Sequence, residues 1–229
     1  MQFKTLELRR LLEFFDEAPS TIKKGDATSL VSVFGEDLAL SLFEHYIKST
    51  GSVYRLISRV CSQKSKKGKR LDAWIEVKDQ NDITYYQTEI KNWSAHAIGG
   101  KKISINAKEE ELKKHRIERF KDNFSLGNKI KKEGSKKVLI EMKLSENAGR
   151  DSEINKKPLL IFWDAMHPSG KPDSFFSIDI KHEKFSKLYV FSMSSYVRDL
   201  LFAKNLKEIE INMPDVNRRV EWMKSILLS

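Results

Sequence analysis

The stretch GKRLDAWIEVKDQNDITYYQTEIKNWS, residues 68–94, decides how this chain folds. Two runs rich in β-branched and aromatic residues, 70–78 and 83–92, flank the polar segment DQND, a pattern that predicts a β-hairpin. The simplest loop for an antiparallel hairpin has two residues. With Gln80 and Asn81 in that loop, Asp72 comes opposite Glu89. Leu71, Ala73, Ile75 and Val77 then come opposite Ile90, Thr88, Tyr86 and Thr84. One face is mostly apolar, while the other carries Asp72, Glu76, Gln87, Glu89 and Lys91. A one-residue slip would destroy this sorting, because strand side chains alternate between faces.

Two facing carboxylates repel by about 1 kcal/mol or more at close range. A divalent cation turns that repulsion into affinity, since Mg²⁺ is a hard ion that prefers oxygen ligands. Lys91, two residues after Glu89, shares its face. An ammonium there can hold a water or steady charge developing on a phosphate. The hairpin thus has the parts for metal-assisted phosphodiester hydrolysis; the bland alternative is a solvated, salt-bridged hairpin.

The acid-x-Lys triplet alone decides nothing, because Glu76-Val-Lys78, Glu111-Leu-Lys113, Glu141-Met-Lys143 and Asp179-Ile-Lys181 repeat it. Glu111 lies in a helical charge run, and neither Glu76 nor Glu141 follows an acid on a preceding strand. The best rival pairs Asp179 with Asp164, if FWDAMHPSGKPDSFFSIDIK folds as a hairpin.

Outward from the hairpin, Leu6, Leu8, Leu11, Leu12 and Phe15 recur at helical spacing and predict a helix over 5–17. A second helix is predicted over 37–49, stopped by Gly51, and SVYRLISRVC reads as a strand. The charged segment 106–133 is helical in character. KKVLIEMKL, PLLIFWDAM, SFFSIDI and LYVFSM then read as strands, and VNRRVEWMKSILL as an amphipathic helix. The expected fold is α/β, a mixed sheet flanked by helices in the order α-β-β-β-α-β, with extra C-terminal strands and a helix. Residues 1–25 form an N-terminal helical extension, 26–165 the core, and 166–229 the strands and helix that complete the same domain.

Composition narrows the function. At 229 residues, 40% hydrophobic and 32% charged, the chain is globular, with enough residues for one substantial core. The net charge of +10 is concentrated in 64–70, 99–102 and 128–137, which favours polyanionic partners. No apolar run approaches the roughly 18 residues of a membrane span, and the N-terminus has no signal-peptide core. Cys61 is the single cysteine, which excludes an internal disulfide framework and a cysteine-rich zinc site. The expected compartment is the cytoplasm. There is no phosphate-binding glycine loop, nucleophile elbow or His/Cys zinc spacing.

Asp72, seventeen residues before Glu89-Ile90-Lys91 and framed by a helix and strand before and a helix after, resembles the PD-(D/E)XK nuclease superfamily. That group includes restriction endonucleases and Holliday-junction resolvases. The resemblance covers 34–165; Leu71 stands where the family often has proline, and Glu36 in FGEDLALSLF matches the first-helix glutamate, with Glu44 as the alternative. It implies a restriction-endonuclease-like core and a Mg²⁺ ion, with Mn²⁺ able to substitute. Asp72, Glu89 and the Ile90 carbonyl would be the ligands, Lys91 would orient the water, and Glu36 would reach the metal through water. Lys69, Arg70, Trp93, Ser94 and His96 are the candidate nucleic-acid contacts. The implied function is an endonuclease in restriction, phage defence or repair, with DNA as the expected substrate and RNA still open. A homodimer or a partner subunit of a defence system would fit, and no membrane is involved. The rival reading is a catalytically idle nucleic-acid-binding or assembly subunit of the same fold.

Overall fold

The hairpin forms in the expected register. In the computed structural model, which describes residues 3–17, 24–59, 61–62, 70–80, 82–91, 104, 106–123, 137–140, 142 and 155–227, Ala73 lies opposite Thr88 and Asp79 opposite Asp82. Gln80, at the tip, takes the left-handed conformation (φ 37°) that a tight turn demands.

In chain order, β1 (Phe3–Glu7) leads into α1 (Leu8–Leu12), which a π-helical turn extends through Glu13–Glu17. The long helix α2 (Lys24–Ser49) follows, then β2 (Val53–Ser58), β3 (Cys61–Ser62), β4 (Arg70–Leu71) and the hairpin strands β5 (Ala73–Asp79) and β6 (Asp82–Lys91). After α3 (Glu109–Asn123) and a 3₁₀ turn at Lys137–Leu139 come β7 (Lys156–Phe162), β8 (Phe175–Asp179) and β9 (Lys187–Ser192). The described chain ends with α4 (Met193–Arg198), a π-helical turn (Asp199–Ala203), β10 (Glu208–Asn212) and α5 (Pro214–Leu227).

Six strands make one mixed sheet in the order β2-β5-β6-β7-β9-β8. The pairs β2–β5, β5–β6 and β8–β9 are antiparallel; β6–β7 and β7–β9 are parallel. A parallel pair needs a long crossover, and α3 lies within the one from β6 to β7. Alternation assigns the two faces. Ile75, Tyr86, Ile90, Leu159, Ile161 and Phe191 pack with Leu38, Leu42 and Phe43 of α2. Trp74, Leu160, Phe162, Leu188 and Val190 pack on the other side with Val138 and Met142. Both faces are therefore covered, as expected for a sheet with parallel strands.

Helix α2 stops where the sequence says it must. Gly51 (φ 84°) donates to the Lys48 carbonyl at 3.1 Å and Ser52 to the Ile47 carbonyl at 3.3 Å, a glycine-terminated helix end. Its start lies further upstream than residue 37, at Lys24.

Three expected elements differ. Residues 3–7, read as the opening of a helix, form a strand that pairs with β10, Phe3 opposite Asn212 and Glu7 opposite Glu208. Residues 137–139 form a 3₁₀ turn where a strand was expected, because Gln87 satisfies the backbone there. Its buried side-chain amide donates to the carbonyls of Val138 and Ile140, the latter at 2.9 Å, and its oxygen accepts from the Met142 N–H at 3.1 Å. The third difference is 193–203, assigned no element from sequence, which is helical and leads to β10.

Candidate active site

Asp72 interrupts the ladder. It occupies a bend between β4 and β5, and regular β5–β6 pairing begins only at Ala73. The expected facing pair of Asp72 and Glu89 is therefore replaced by a local side-chain arrangement. The Asp72 N–H donates to the Thr88 carbonyl at 3.0 Å, and Oδ2 of Asp72 accepts from the Ile90 N–H at 2.6 Å. An aspartate that bonds nearby backbone competes with regular pairing in this way. Leu71, expected opposite Ile90, pairs instead with Cys61 and packs beside Trp74 on the other face.

The N–H and carbonyl of one strand residue point to the same side. The Ile90 carbonyl accordingly faces the side on which Asp72 lies. The Lys91 carbonyl faces the opposite way and accepts from the Trp163 N–H at 3.2 Å. Glu89 is buried, only 3% exposed, and its Oε1 is ion-paired with Lys91 Nζ. Burial makes that pair consequential, since a lone carboxylate there would be costly.

Glu36 joins the cluster from α2. It is solvent-exposed as a residue, yet its carboxyl is held above the ordinary carboxylate range, first by partial desolvation and next by the negative charge of Asp72. Arg59 and Arg219 oppose that rise. Glu44, the alternative on the same helix, is bound to Lys48 at 2.5 Å. Of the two, Glu36 is the acid that shares the field of Asp72.

Next to Glu36, buried Asp37 was not singled out from sequence. Its Oδ2 accepts from the backbone N–H groups of both Asp215 and Val216 at 3.0 Å, capping α5 from another helix. Arg59 binds Asp37 and also reaches Asp215 at 3.0 Å. The available signal was the adjacent acid in GED, together with the helix start MPD.

Among the rival acids, Glu76 and Asp164 are held in ion pairs. Asp164 accepts from Arg116 Nε at 2.9 Å and from Ser194 Oγ at 2.7 Å, inside the protein. β7 and β8 are not neighbours, since β9 separates them, so Asp164 and Asp179 do not share a hairpin. Asp179 faces Lys187 on the outermost pair of strands. Glu76 is held in a two-pronged contact by Arg55, at 2.6 and 2.8 Å, which keeps its carboxyl below the usual range. Lys69, Trp93, Ser94 and His96 lie outside the described residues, and for Arg70 only the backbone, in β4, is described.

Comparison with protein-family models, curated proteins and solved structures finds no match to this chain. Among the described residues, no group of three or more His, Cys, Asp or Glu side chains is close enough to cage a metal. The donors at hand are two carboxylates, Asp72 and Glu89, and a backbone carbonyl, with Glu36 further out. All are hard oxygens, the donor type that Mg²⁺ prefers, so the chemistry of this set fits that ion. Among the described residues, no helix is long and apolar enough to cross a membrane.

Proposed function

We propose that this chain is a Mg²⁺-dependent nuclease of the PD-(D/E)XK kind that hydrolyses phosphodiester bonds in DNA. The observation that carries the reading is the Asp72 carboxylate bonded to the Ile90 N–H, one residue from each member of the buried Glu89–Lys91 pair. The order of α2, β2, β5, β6, α3 and β7, with β6 parallel to β7, supports the same reading because it follows the α-β-β-β-α-β expectation.

Held by Asp72, Glu89 and the Ile90 carbonyl, Mg²⁺ would supply a Lewis acid for the phosphate and lower the pKa of a bound water. The chain's own residues have distinct tasks. The Ile90 N–H fixes the direction of the Asp72 carboxylate. Glu89 aims Lys91, so that its ammonium can orient the attacking water or meet charge accumulating on the phosphate. Glu36 adds a second carboxylate near Asp72, where it can accept a hydrogen bond from water.

The test is cleavage of plasmid, linear duplex, single-stranded DNA and RNA with Mg²⁺, Mn²⁺ or EDTA, for wild type and Lys91→Ala. The expected result is metal-dependent cutting of DNA that falls by about 100-fold or more in the variant, the cost of removing one preorganised electrostatic group. Cutting that persists in EDTA or in Lys91→Ala would overturn the reading.

A further inference from the structure

We propose that α5 forms a phosphate-binding wall of the candidate site, with Arg219 as its contact to the nucleic-acid backbone. This rests on the nuclease reading above and extends it to a helix beyond 34–165, the span on which that reading was built. Three observations converge on it.

The first is how α5 is attached. None of its residues is fully buried, and Val216 is its one hydrophobic packed, half-buried, against the main core. Its first turn is locked by side chains: Asp37 takes the N–H groups of Asp215 and Val216, and Arg59 ties Asp37 to Asp215. That lock is one residue from Glu36. The helix is therefore anchored where the candidate site is, and its N-terminal donors are already used, leaving anion attraction to its side chains.

The second is direction. Arg219 follows Asp215 by four residues, and residues so spaced share a helix face. Asp215 faces Arg59 and α2, so Arg219 lies on that side one turn along. Arg59 and Arg219 both favour the ionised Glu36 carboxyl, and Asp72 opposes it.

The third is occupancy. Arg59 is engaged by Asp37 and Asp215. Arg218 is bonded to Asp215 at 2.7 Å and lies over the Trp222 ring, 5.5 Å from its centre. Among the described residues, no carboxylate stands at ion-pair distance from Arg219. Its fork of donors suits a phosphate, and an acid-rich site needs such a cation to admit a polyanion. Exposed α5 side chains further along, such as Trp222, are not needed for this contact.

The test is fluorescence anisotropy with a short labelled DNA duplex in EDTA, across a range of salt, for wild type, Arg219→Gln and Arg219→Lys. Losing one phosphate contact should make the slope of log affinity against log salt shallower by about 0.9. Arg219→Gln is expected to show that change with an unaltered melting curve, and Arg219→Lys to restore the wild-type slope. DNA binding by wild type with the same slope in Arg219→Gln would overturn the proposal, and so would a slope that lysine fails to restore. The nuclease reading would survive either result, since its own test is metal-dependent cutting lost in Lys91→Ala. Wild type that binds no duplex would overturn the assignment of Arg219.

Discussion

Two clusters of charge in this molecule are built on different principles. In one, Asp16 accepts from the Trp163 indole at 2.8 Å and from Arg198 at 2.9 Å, while Asp164 accepts from Arg116 and Ser194. Two carboxylates meet two guanidiniums, and all four side chains are buried. In the other, Glu89 is ion-paired with Lys91, Asp72 accepts from the neighbouring Ile90 N–H, and Glu36 faces the charges of Asp72, Arg59 and Arg219. Asp16 and Glu36 both have pKa values raised by burial first and by a neighbouring aspartate second. A raised carboxyl therefore does not by itself mark a functional site. What separates the clusters is closure: the first is balanced by two buried carboxylate–guanidinium pairs, whereas Glu36 of the second stands open to solvent.

That contrast can be broken by matched substitutions. Asp164→Asn strands the Arg116 charge in the interior, and removing one partner of a buried pair costs about 3–5 kcal/mol. Urea denaturation should show that loss. Asp72→Asn should leave stability nearly unchanged, because an amide oxygen can still accept from the Ile90 N–H, yet abolish metal-dependent cutting. If the two variants behave alike, the division into structural and functional charge fails.

A smaller effect is expected at Gln87, which serves neither cluster but holds the 138–142 segment over the sheet. Gln87→Leu leaves buried carbonyls and an N–H without their partner, at a cost of about 1–3 kcal/mol. Urea denaturation would measure it, and limited proteolysis should report faster cutting near 138–142.

The smallest effect has the most telling sign. A carboxyl whose folded pKa is raised binds its proton more tightly when folded. Its contribution is favourable at low pH and is lost as pH rises through the folded value. Glu36→Gln should therefore stabilise the protein at pH 7 and have no effect below the ordinary carboxylate range. The expected rise in Tm is small, because Glu36 is solvent-exposed and water screens its repulsion from Asp72. Melting curves at the two pH values decide it: a lower Tm at pH 7 would mean that Glu36 belongs with the balanced cluster.

The parts of this molecule legible in the sequence are those set by neighbouring residues. A two-residue loop admits one pairing, and the alternation from Ala73 to Val77 against Thr84 to Thr88 agrees with it, so the register could be read directly. The parts that were not legible depend on distant partners. Leu6, Leu8, Leu11 and Leu12 keep helical spacing across the junction of β1 and α1, but residues 3–7 pair with a strand from the far end of the chain. Val138, Leu139 and Ile140 have strand-like composition, but a single glutamine side chain supplies the hydrogen bonds a ladder would have given. At the candidate site, the closeness of Asp72 to the strand carrying Glu89 and Lys91 was readable. The bend at Asp72 and the lock of Asp37 on α5 were not, because each arises from a side chain bonding to backbone brought near by folding.

The β1–β10 ladder also gives the protein a direction of mechanical weakness. Phe3 lies beside Asn212 and Glu7 beside Glu208, so the chain's outer portions both leave the ladder at one end. Tension between residues 3 and 212 loads the pairs one at a time, like a zipper, where a shearing load would be shared by all of them. Because Ser41 and Asp37 of α2 hold Asn212 and the first turn of α5, the strand that peels away is β1, while β10 stays tied to α2.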